Sequence, residues 1–298
     1  MLQTQDMNLM KLFETYGTDD SCREMLEQIR WPEGVKCPRC GGDHNRYNET
    51  RHIYDCASCG YQFSVITGTI FQDTHLALTK WFAAIYLTIE SKKGMSANQM
   101  SRTINVSYKT SWYLCHRIRA AMHEASPALL TGTVEVDETY MGGKVKGKGR
   151  RYTGNKSTVA GAVQRDGDIR LRVISRTDRE TLHGFIKAHV ADDTKNIYTD
   201  QLPAYNGVGD ENTVHDSVNH SIEEWVRGEV HTNTVEGVWS LFKRSIIGSY
   251  HQVSAKHLDA YLDELEWRFN QRKNPYLFRD TLLRLLSSPN LEYRTLIG

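Results

Sequence analysis

The sequence lacks an apolar run long enough to cross a membrane. A crossing helix needs about 18 or more consecutive apolar residues, and the 298 residues contain no such run. Residues 1–17 also lack the basic group followed by an apolar stretch that is typical of a secretory signal. We therefore expect no membrane partner and a cytoplasmic location.

The sequence also has no excess of either charge. It contains 37 Lys and Arg residues against 36 Asp and Glu residues, which gives a formal net charge of +1. The total charge therefore neither indicates nor excludes a nucleic acid partner, and the distribution of charge matters more. One stretch is basic without any acidic residue, and it contains Lys144, Lys146, Lys148, Arg150, Arg151 and Lys156.

Cysteine is scarce, and four of the six cysteines form two C-x-x-C pairs separated by fifteen residues. A glycine follows each pair and allows a tight turn there. In a cytosolic chain such pairs indicate metal binding rather than disulfides. Four thiolates complete a tetrahedral shell, which suits one structural Zn²⁺. An iron–sulfur cluster or a redox pair remains the alternative. The predicted ligands are Cys37, Cys40, Cys56 and Cys59.

Residues 96–123 have the pattern of two short helices around a tight turn. Ser96 is a good N-cap, with Gln99 at the position that completes a capping box. The pair resembles a helix-turn-helix, whose second helix enters the major groove of DNA. A plain helical hairpin in a linker is the alternative. The predicted DNA contacts on the second helix are Lys109, Arg117 and Arg119.

The pattern changes to strands after about residue 129. Strands rich in Val and Ile, with one helix among them and helices after them, indicate a mixed sheet covered by helices. We therefore expect three domains. They are an N-terminal helix with a metal-binding ribbon (1–72), a helical segment (73–128), and a mixed α/β domain with C-terminal helices (129–298). The predicted strands are 133–140, 157–163, 168–174, 196–200 and 213–218, and the predicted helices of this region are 179–191, 233–247, 254–271 and 277–287.

The first predicted strand of this domain carries acidic residues on one face. Glu135 and Asp137 alternate with Val134 and Val136, so the acids point away from the valines. An acidic side chain on a sheet is costly unless it binds something. Glu138 points opposite to Asp137, and we do not expect it to share the same role.

Two further segments supply candidate partners for Asp137. Asp200 ends a short apolar strand, where α/β sheets place functional residues. Glu236 and Lys243 are two helical turns apart and share a face, with Asn233 one turn earlier. Each residue also has a structural interpretation: Asp137 or Asp200 at a turn, and Asn233 with Glu236 in a capping box. Together, however, the acids could hold two metals for in-line phosphoryl transfer, with Lys243 near the phosphate.

Several motifs resemble those of bacterial insertion-sequence transposases of the ISXO-like group. The resemblance runs from about residue 18 to 285, in the order zinc ribbon, helical DNA-binding segment and catalytic domain. The motifs are Ile29-Arg30-Trp31-Pro32, V-D-E-T-Y-M-G-G at 136–143, Y-T-D at 198–200, H-T-N-T-V-E-G-V-W-S-L-F-K-R at 231–244 and Y-L-D-E-L-E-W-R-F-N at 261–270.

The resemblance implies a ribonuclease H-like catalytic fold with an acidic triad and two Mg²⁺ or Mn²⁺ ions. Carried over to this chain, the triad begins with Asp137 and Asp200. Its third member is Glu236, because Lys243 follows it as the usual companion of the triad glutamate. Asn233 in the same segment is the other candidate, as a ligand or as a residue that orients metal-bound water.

The resemblance also implies a function and partners. The protein is expected to bind double-stranded DNA, both the terminal repeats of its element and the target, as a homodimer or higher multimer associated with the nucleoid. The basic stretch after the first catalytic strand would then be a phosphate clamp, or else a solvated loop. Two other functions remain open: an inactive, domesticated DNA-binding protein, and a ribonuclease H-like nuclease that does not join DNA.

Overall fold

The structure is a computed structural model that describes residues 7–142, 156–219 and 222–298. The chain divides into two compact units, of which the first combines Met1–His123 with Gln271–Gly298 and the second is Glu124–Asn270. Part of the basic stretch lies outside the described residues, so its contact with DNA stays a prediction. The residues concerned are Lys144, Lys146, Lys148, Arg150 and Arg151.

The described elements follow the predicted segments closely, with ends that differ by a few residues. The helices are α1 (Leu9–Tyr16), α2 (Asp19–Arg30), α3 (Leu78–Glu90), α4 (Ala97–Thr103), α5 (Tyr108–Met122), α6 (Arg179–His189), α7 (Asn233–Ser245), α8 (Leu258–Asn270), α9 (Leu277–Ser287) and α10 (Tyr293–Ile297). The strands are β1 (Asn45–Asn48), β2 (Ile53–Cys56), β3 (Gln62–Phe63), β4 (Thr133–Met141), β5 (Ser157–Gln164), β6 (Ile169–Ile174), β7 (Asn196–Asp200), β8 (Val214–Val218), β9 (Val226–Arg227) and β10 (Val230–His231).

The first unit includes the last helices of the chain. Phe278 of α9 packs against Tyr16 of α1 and against Phe82 and Tyr86 of α3, at ring-centroid distances of 6.3, 5.7 and 6.4 Å. The domain boundaries predicted from the sequence place residues 271–298 with the mixed α/β domain instead. An apolar helix face predicts burial, but it does not identify the partner helix.

The predicted pair of helices is present as α4 and α5. The Ser96 side chain accepts a hydrogen bond from the backbone N–H of Gln99 at 3.2 Å and caps α4. The turn includes Asn105 in the left-handed region (φ 52°), and Ser107 caps α5. Met100 on α4 is fully buried. The two helices and their tight turn are therefore confirmed.

The second unit is built on a five-stranded mixed sheet in the order β6-β5-β4-β7-β8. Strand β5 is antiparallel to both of its neighbours, whereas β4, β7 and β8 run parallel. Numbered within this unit, the strand order is 3-2-1-4-5, with only the second strand reversed. This arrangement confirms the predicted ribonuclease H-like sheet flanked by helices.

Helices cover both faces of this sheet. On one face, Val134 and Val136 of β4 pack with Leu182 of α6. On the other face, β5 and β6 pack with α7 and α8, and Trp239 of α7 is 4% exposed. Gly161 on β5 allows this contact, because a Cβ there would lie 2.5 Å from the Trp239 ring. Because side chains alternate along β4, Glu135 and Asp137 lie on the face of the sheet that α7 covers.

Helix α8 covers the open edge of the sheet. The backbone N–H groups of Ile169, Leu171 and Val173 on β6 donate to side-chain oxygens of α8 at 2.8, 3.0 and 3.4 Å. The acceptors are Asn270, Glu266 and Asp259. Side chains thus replace the missing neighbour strand. None of the described helices is long and apolar enough to span a membrane.

Candidate active site and metal centre

Three carboxylates meet where the pairing of β4 with β7 ends. Asp137 lies in the middle of β4, and Asp200 is the last residue of the neighbouring parallel strand β7. Glu135 pairs with Tyr198, and Asp137 and Asp200 each follow two residues later, so the two acids lie side by side. With Glu138, each residue offers an oxygen, and these oxygens all lie within 4.8 Å of one another.

Glu138 is not expected from the sequence to share the role of Asp137, yet one of its carboxylate oxygens lies in the same cluster. Tyr205, whose ring is in the core on the α6 side, donates its hydroxyl hydrogen bond to Glu138 at 2.8 Å. Glu138 therefore leaves β4 on the side opposite to Asp137, as alternation predicts. Its longer side chain nevertheless carries a carboxylate oxygen back to the strand end beside Asp137 and Asp200.

The grouping of carboxylates disfavours their ionisation. Burial, followed by the charges of Glu138 and Asp200, raises the pKa of Asp137 to about 7. Burial also raises the pKa of Glu138; the Tyr205 hydrogen bond opposes that rise and Asp200 adds to it. A divalent cation would offset this repulsion, and carboxylate oxygens are the ligands that Mg²⁺ prefers. The donor set therefore fits a hard divalent metal.

Helix α7 forms one wall of a cavity of about 590 Å³ beside these acids. The lining residues include Asp137, Glu138, Glu236, Lys243 and Arg244, whereas Asn233 is not among the lining residues described. The indole N–H of Trp239 donates to Asp137 at 2.9 Å and orients its carboxylate. The Glu236 carboxylate is outside the three-carboxylate cluster, although it shares the cavity with Asp137.

Glu135 attaches the start of α7 to the sheet. Its carboxylate is fully buried and accepts hydrogen bonds from the backbone N–H groups of Thr234 and Val235 at 2.7 and 3.1 Å. The Thr234 hydroxyl and the Arg165 guanidinium also donate to it, each at 2.8 Å. Glu135 thus does what an N-cap side chain does for the first turn of a helix.

This contact bears on the capping-box interpretation of Asn233 and Glu236. The N-cap residue of α7 is Thr232, whose hydroxyl donates to Glu236 at 3.3 Å, and Asn233 is the exposed first residue of the helix. A capping box between Asn233 and Glu236 is therefore not formed. Sequence reasoning missed the role of Glu135, although its position two residues before Asp137 on the same face was a usable signal.

The four paired cysteines form a second centre, in the first unit. The Sγ atoms of Cys37 and Cys59 lie 3.7 Å apart, and those of Cys40 and Cys56 lie 3.6 Å apart. A disulfide would require about 2.05 Å. A tetrahedral site with Zn–S bonds of about 2.3 Å has sulfur–sulfur edges of about 3.8 Å. The spacing therefore fits one zinc ion held by four thiolates.

Backbone geometry supports this sulfur cluster. Gly41 and Gly60 follow the pairs at φ of 73° and 67°, where a side chain would be strained. Burial raises the pKa of the Cys56 thiol, but the backbone N–H groups of Cys59 and Ser58 and the thiols of Cys40 and Cys59 outweigh it, and that pKa falls to about 6. Cys56 is thereby prepared to bind a metal as a thiolate.

Comparison with known proteins identifies the family of the chain. Residues 129–270 match the family model of the ISXO2-like transposase domain, and residues 17–62 match that of the transposase zinc-ribbon domain. A protein described as "Uncharacterized protein in transposable element ISH50", from Halobacterium salinarum, is 30% identical over 285 residues, which cover 89% of this chain and 96% of the relative. The chain belongs to the ISXO2-like transposase family.

Solved structures give weaker similarities to this transposase. A chain of the simian T-cell lymphotropic virus intasome in complex with PP2A regulatory subunit B56 gamma aligns with a TM-score of 0.31 and 13% identity, over 66% of this chain and 72% of that one. A chain of the Mos1 strand transfer complex aligns with a TM-score of 0.30 and 9% identity, over 69% and 74%. These scores are too low to support conclusions about this chain.

The structure corrects two predicted DNA contacts of the transposase. Arg117 is 3% exposed; its guanidinium donates to the backbone carbonyls of Ile70 and Gln72, and to the Asn290 side chain at 3.1 Å. Arg119 is also 3% exposed. Helical spacing placed both side chains on α5, but burial makes them unsuitable for contact with a phosphate at the surface.

Lys109 is the third predicted DNA contact on α5, and its side chain is exposed. It is an exposed residue in the first turn of α5, where its ammonium lies 4.7 Å from the centroid of the Tyr293 ring. Tyr108 beside it is 55% exposed. The surface available for binding on α5 is thus its N-terminal turn, rather than the turns that carry Arg117 and Arg119.

Proposed function

We propose that this transposase cleaves DNA at the ends of its mobile element and joins the freed 3′-hydroxyl to target DNA. The observation that carries the proposal is the cluster of Asp137, Glu138 and Asp200 beside a cavity that is also lined by Lys243 and Arg244. Carboxylates that can hold divalent metals, next to cations that can hold phosphate, are the components that phosphoryl transfer requires. Cleavage and joining are both phosphoryl transfers, so one site serves both.

In this proposal Asp137, Asp200 and Glu236 are the acidic triad, and Glu138 is an added member of the carboxylate group. Two Mg²⁺ or Mn²⁺ ions held there would supply Lewis-acid activation of the attacking and leaving oxygens. The protein orients its acids beforehand: the Trp239 indole donates to Asp137, and the backbone N–H of Leu202 donates to Asp200 at 3.0 Å. Asn233, at the exposed start of α7, is the other candidate for the third position.

Binding of the DNA ends is assigned to the first unit. The α4–α5 pair serves as the helix-turn-helix, with Tyr108, Lys109 and Thr110 reaching the groove, because the N-terminal residues of a recognition helix contact base edges. One structural zinc on the four cysteines holds the ribbon. A homodimer or higher multimer would bring two DNA ends together, and the basic residues after β4 would add phosphate contacts.

The test is an assay with the full-length protein, Mg²⁺, labelled DNA carrying the ends of its element, and a target plasmid. Asp137→Asn should abolish cleavage and joining while leaving DNA binding within about twofold, because the change removes a metal ligand and no surface cation. Asp193→Asn, at an exposed turn of the same unit, is the matched control and should keep full activity.

Each other outcome rejects the proposal in a recognisable way. Cleavage without joining by the wild-type protein would identify a nuclease. Binding of the ends with neither reaction would identify an inactive DNA-binding protein. Loss of DNA binding in Asp137→Asn would contradict the division of roles between the two units.

A further inference from the structure

Trp225 is the most exposed of the six tryptophans, all of which lie in the described residues. Its exposed fraction is 55%, whereas Trp81 and Trp239 are almost fully buried and the other three are half-buried. An exposed indole leaves a large apolar surface in contact with water, although burial of that surface would be favourable. Exposed tryptophan is accordingly a common anchor of binding surfaces.

The segment that carries Trp225 is attached to the sheet. Trp225 directly precedes β9, which pairs with β10 in a short hairpin. Val230 of β10 is buried against Tyr198 and Val218 of strands β7 and β8. Arg227 of β9 donates to the backbone carbonyl of Ser217 at 3.0 Å. The hairpin therefore holds the indole at a defined position.

That position is a wall of the cavity beside the catalytic carboxylates. Trp225 and Ile247, which is 73% exposed, supply apolar surface to the same cavity that Asp137, Lys243 and Arg244 line. Its volume of about 590 Å³ is that of a small-ligand site. A volume of this size can hold a single nucleotide.

We propose that Trp225 stacks on an unpaired nucleobase next to the phosphate that is cleaved. A nucleotide presents one flat aromatic face and one anionic phosphate, and the cavity offers an indole and two cations in the same enclosure. A base reaches the indole only when it leaves the duplex stack, and stacking on the aromatic ring offsets part of that cost. This inference rests on the proposed function, since the phosphate is positioned by the reaction site.

The test compares two proteins on two DNAs. Wild type and Trp225→Ala are each given a duplex with the intact element end, and the same duplex with an abasic nucleotide at successive positions flanking the cleavage site. Binding is measured by fluorescence anisotropy, and cleavage is measured in single turnover. On the intact duplex we expect about a 10-fold loss in Trp225→Ala. With the abasic nucleotide at one position we expect Trp225→Ala to match wild type, because that nucleotide removes both the stacking contact and the cost of taking the base out of the duplex.

Two further variants control the comparison. Trp225→Phe retains an aromatic face and should recover most of the loss. Ile222→Ala removes an apolar side chain that is 71% exposed, three residues earlier in the same segment, and should behave as wild type. A loss in Trp225→Ala that stays equally large on the abasic duplexes at every position would overturn the stacking inference, as would full activity of Trp225→Ala on the intact duplex. Coupling seen in binding while wild type cleaves no DNA would reject the proposed function and leave the stacking inference standing.

Discussion

At the residue scale, two acids on β4 have different roles although they share a face. Glu135 is fully buried, and donors from α7 and Arg165 surround its carboxylate. The carboxylate of Asp137 interacts with the Trp239 indole N–H and the backbone N–H of Glu138, and it faces the carboxylates of Glu138 and Asp200. Satisfied hydrogen bonds give the first acid a structural role, whereas the second remains crowded by like charges, which suits the metal-ligand role that we propose for it.

The third member of the triad gives a direct prediction. Glu236→Gln should reduce cleavage by more than about 100-fold, because it removes an anionic ligand from the cavity. Asn233→Ala should reduce it by less than about 10-fold, since Thr232 is the N-cap residue of α7 and Asn233 is exposed. Single-turnover cleavage of labelled DNA measures both. The reverse order of effects would make Asn233 the third member.

Glu135 is predicted to position α7 for catalysis. Glu135→Gln keeps the shape but weakens the hydrogen bonds to the helix start, so we expect cleavage to slow by about 10- to 100-fold with DNA binding unchanged. The concentration of Mn²⁺ needed for half-maximal rate should rise, which separates misplaced ligands from general unfolding. Glu229→Gln is the control, because Glu229 is 91% exposed and also lies near Arg165, at 3.9 Å. An unchanged metal requirement would refute the positioning role.

At the element scale, α8 explains part of a motif that the resemblance emphasised. In Y-L-D-E-L-E-W-R-F-N, Glu266 and Asn270 accept hydrogen bonds from backbone N–H groups of the edge strand β6. Glu266 also pairs with Arg172 at 2.9 Å. The motif therefore maintains the sheet edge, and no residue of it belongs to the three-carboxylate cluster.

Removing this edge contact should destabilise the second unit. Glu266→Ala leaves the N–H of Leu171 without its acceptor and removes the carboxylate beside Arg170 and Arg172, and should cost about 3 kcal/mol. Hydrogen–deuterium exchange of residues 169–173 in the full-length protein should quicken accordingly. Glu211→Ala, at an exposed turn of the same unit, should leave this exchange unaltered. If residues 169–173 exchanged no faster in Glu266→Ala than in wild type, the contact between α8 and the edge strand β6 would not be needed for the stability of that strand.

At the scale of the whole molecule, the chain begins and ends in the same unit. Residues 271–298 pack with the N-terminal helices, so the segment Glu124–Asn270 is a continuous insertion between two parts of the first unit. The sulfur cluster belongs to that first unit, and the carboxylate cluster belongs to the second. A substitution at the sulfur cluster can therefore be tested for its effect on the folding of the second unit, and a substitution at the carboxylate cluster for its effect on the first.

Zinc removal provides that test. The protein should contain one zinc per chain, and Cys56→Ser should lose the metal and the ribbon structure, because zinc contributes about 10–16 kcal/mol to the folding of such modules. Elemental analysis measures the metal, and limited proteolysis measures which residues become accessible. Ser58→Ala, at an exposed position between two ligands, should retain zinc. Iron in the purified protein, or proteolysis within 124–270 on zinc loss, would contradict the prediction.

The sequence by itself determined the elements, the family motifs and the cysteine centre. Periodicity gave the strands and helices because burial repeats every two residues in a strand and about every 3.6 in a helix. The C-x-x-C spacing predicted the metal site because each pair places two ligands in one turn, and the sequence of that turn is enough to define it. The strands that carry Asp137 and Asp200 could also be predicted, because the alternation of apolar residues that marks a strand is a local property of the sequence.

Only the tertiary structure decided which side chains meet across the sheet and between helices. Glu138 accepts a hydrogen bond from Tyr205, far along the chain, and still has a carboxylate oxygen beside Asp137 and Asp200. Arg117 is buried because distant carbonyls bind it. Glu135 caps α7 from a strand almost one hundred residues earlier. Such contacts depend on how apolar faces pair in three dimensions, and local periodicity carries no information about the partner.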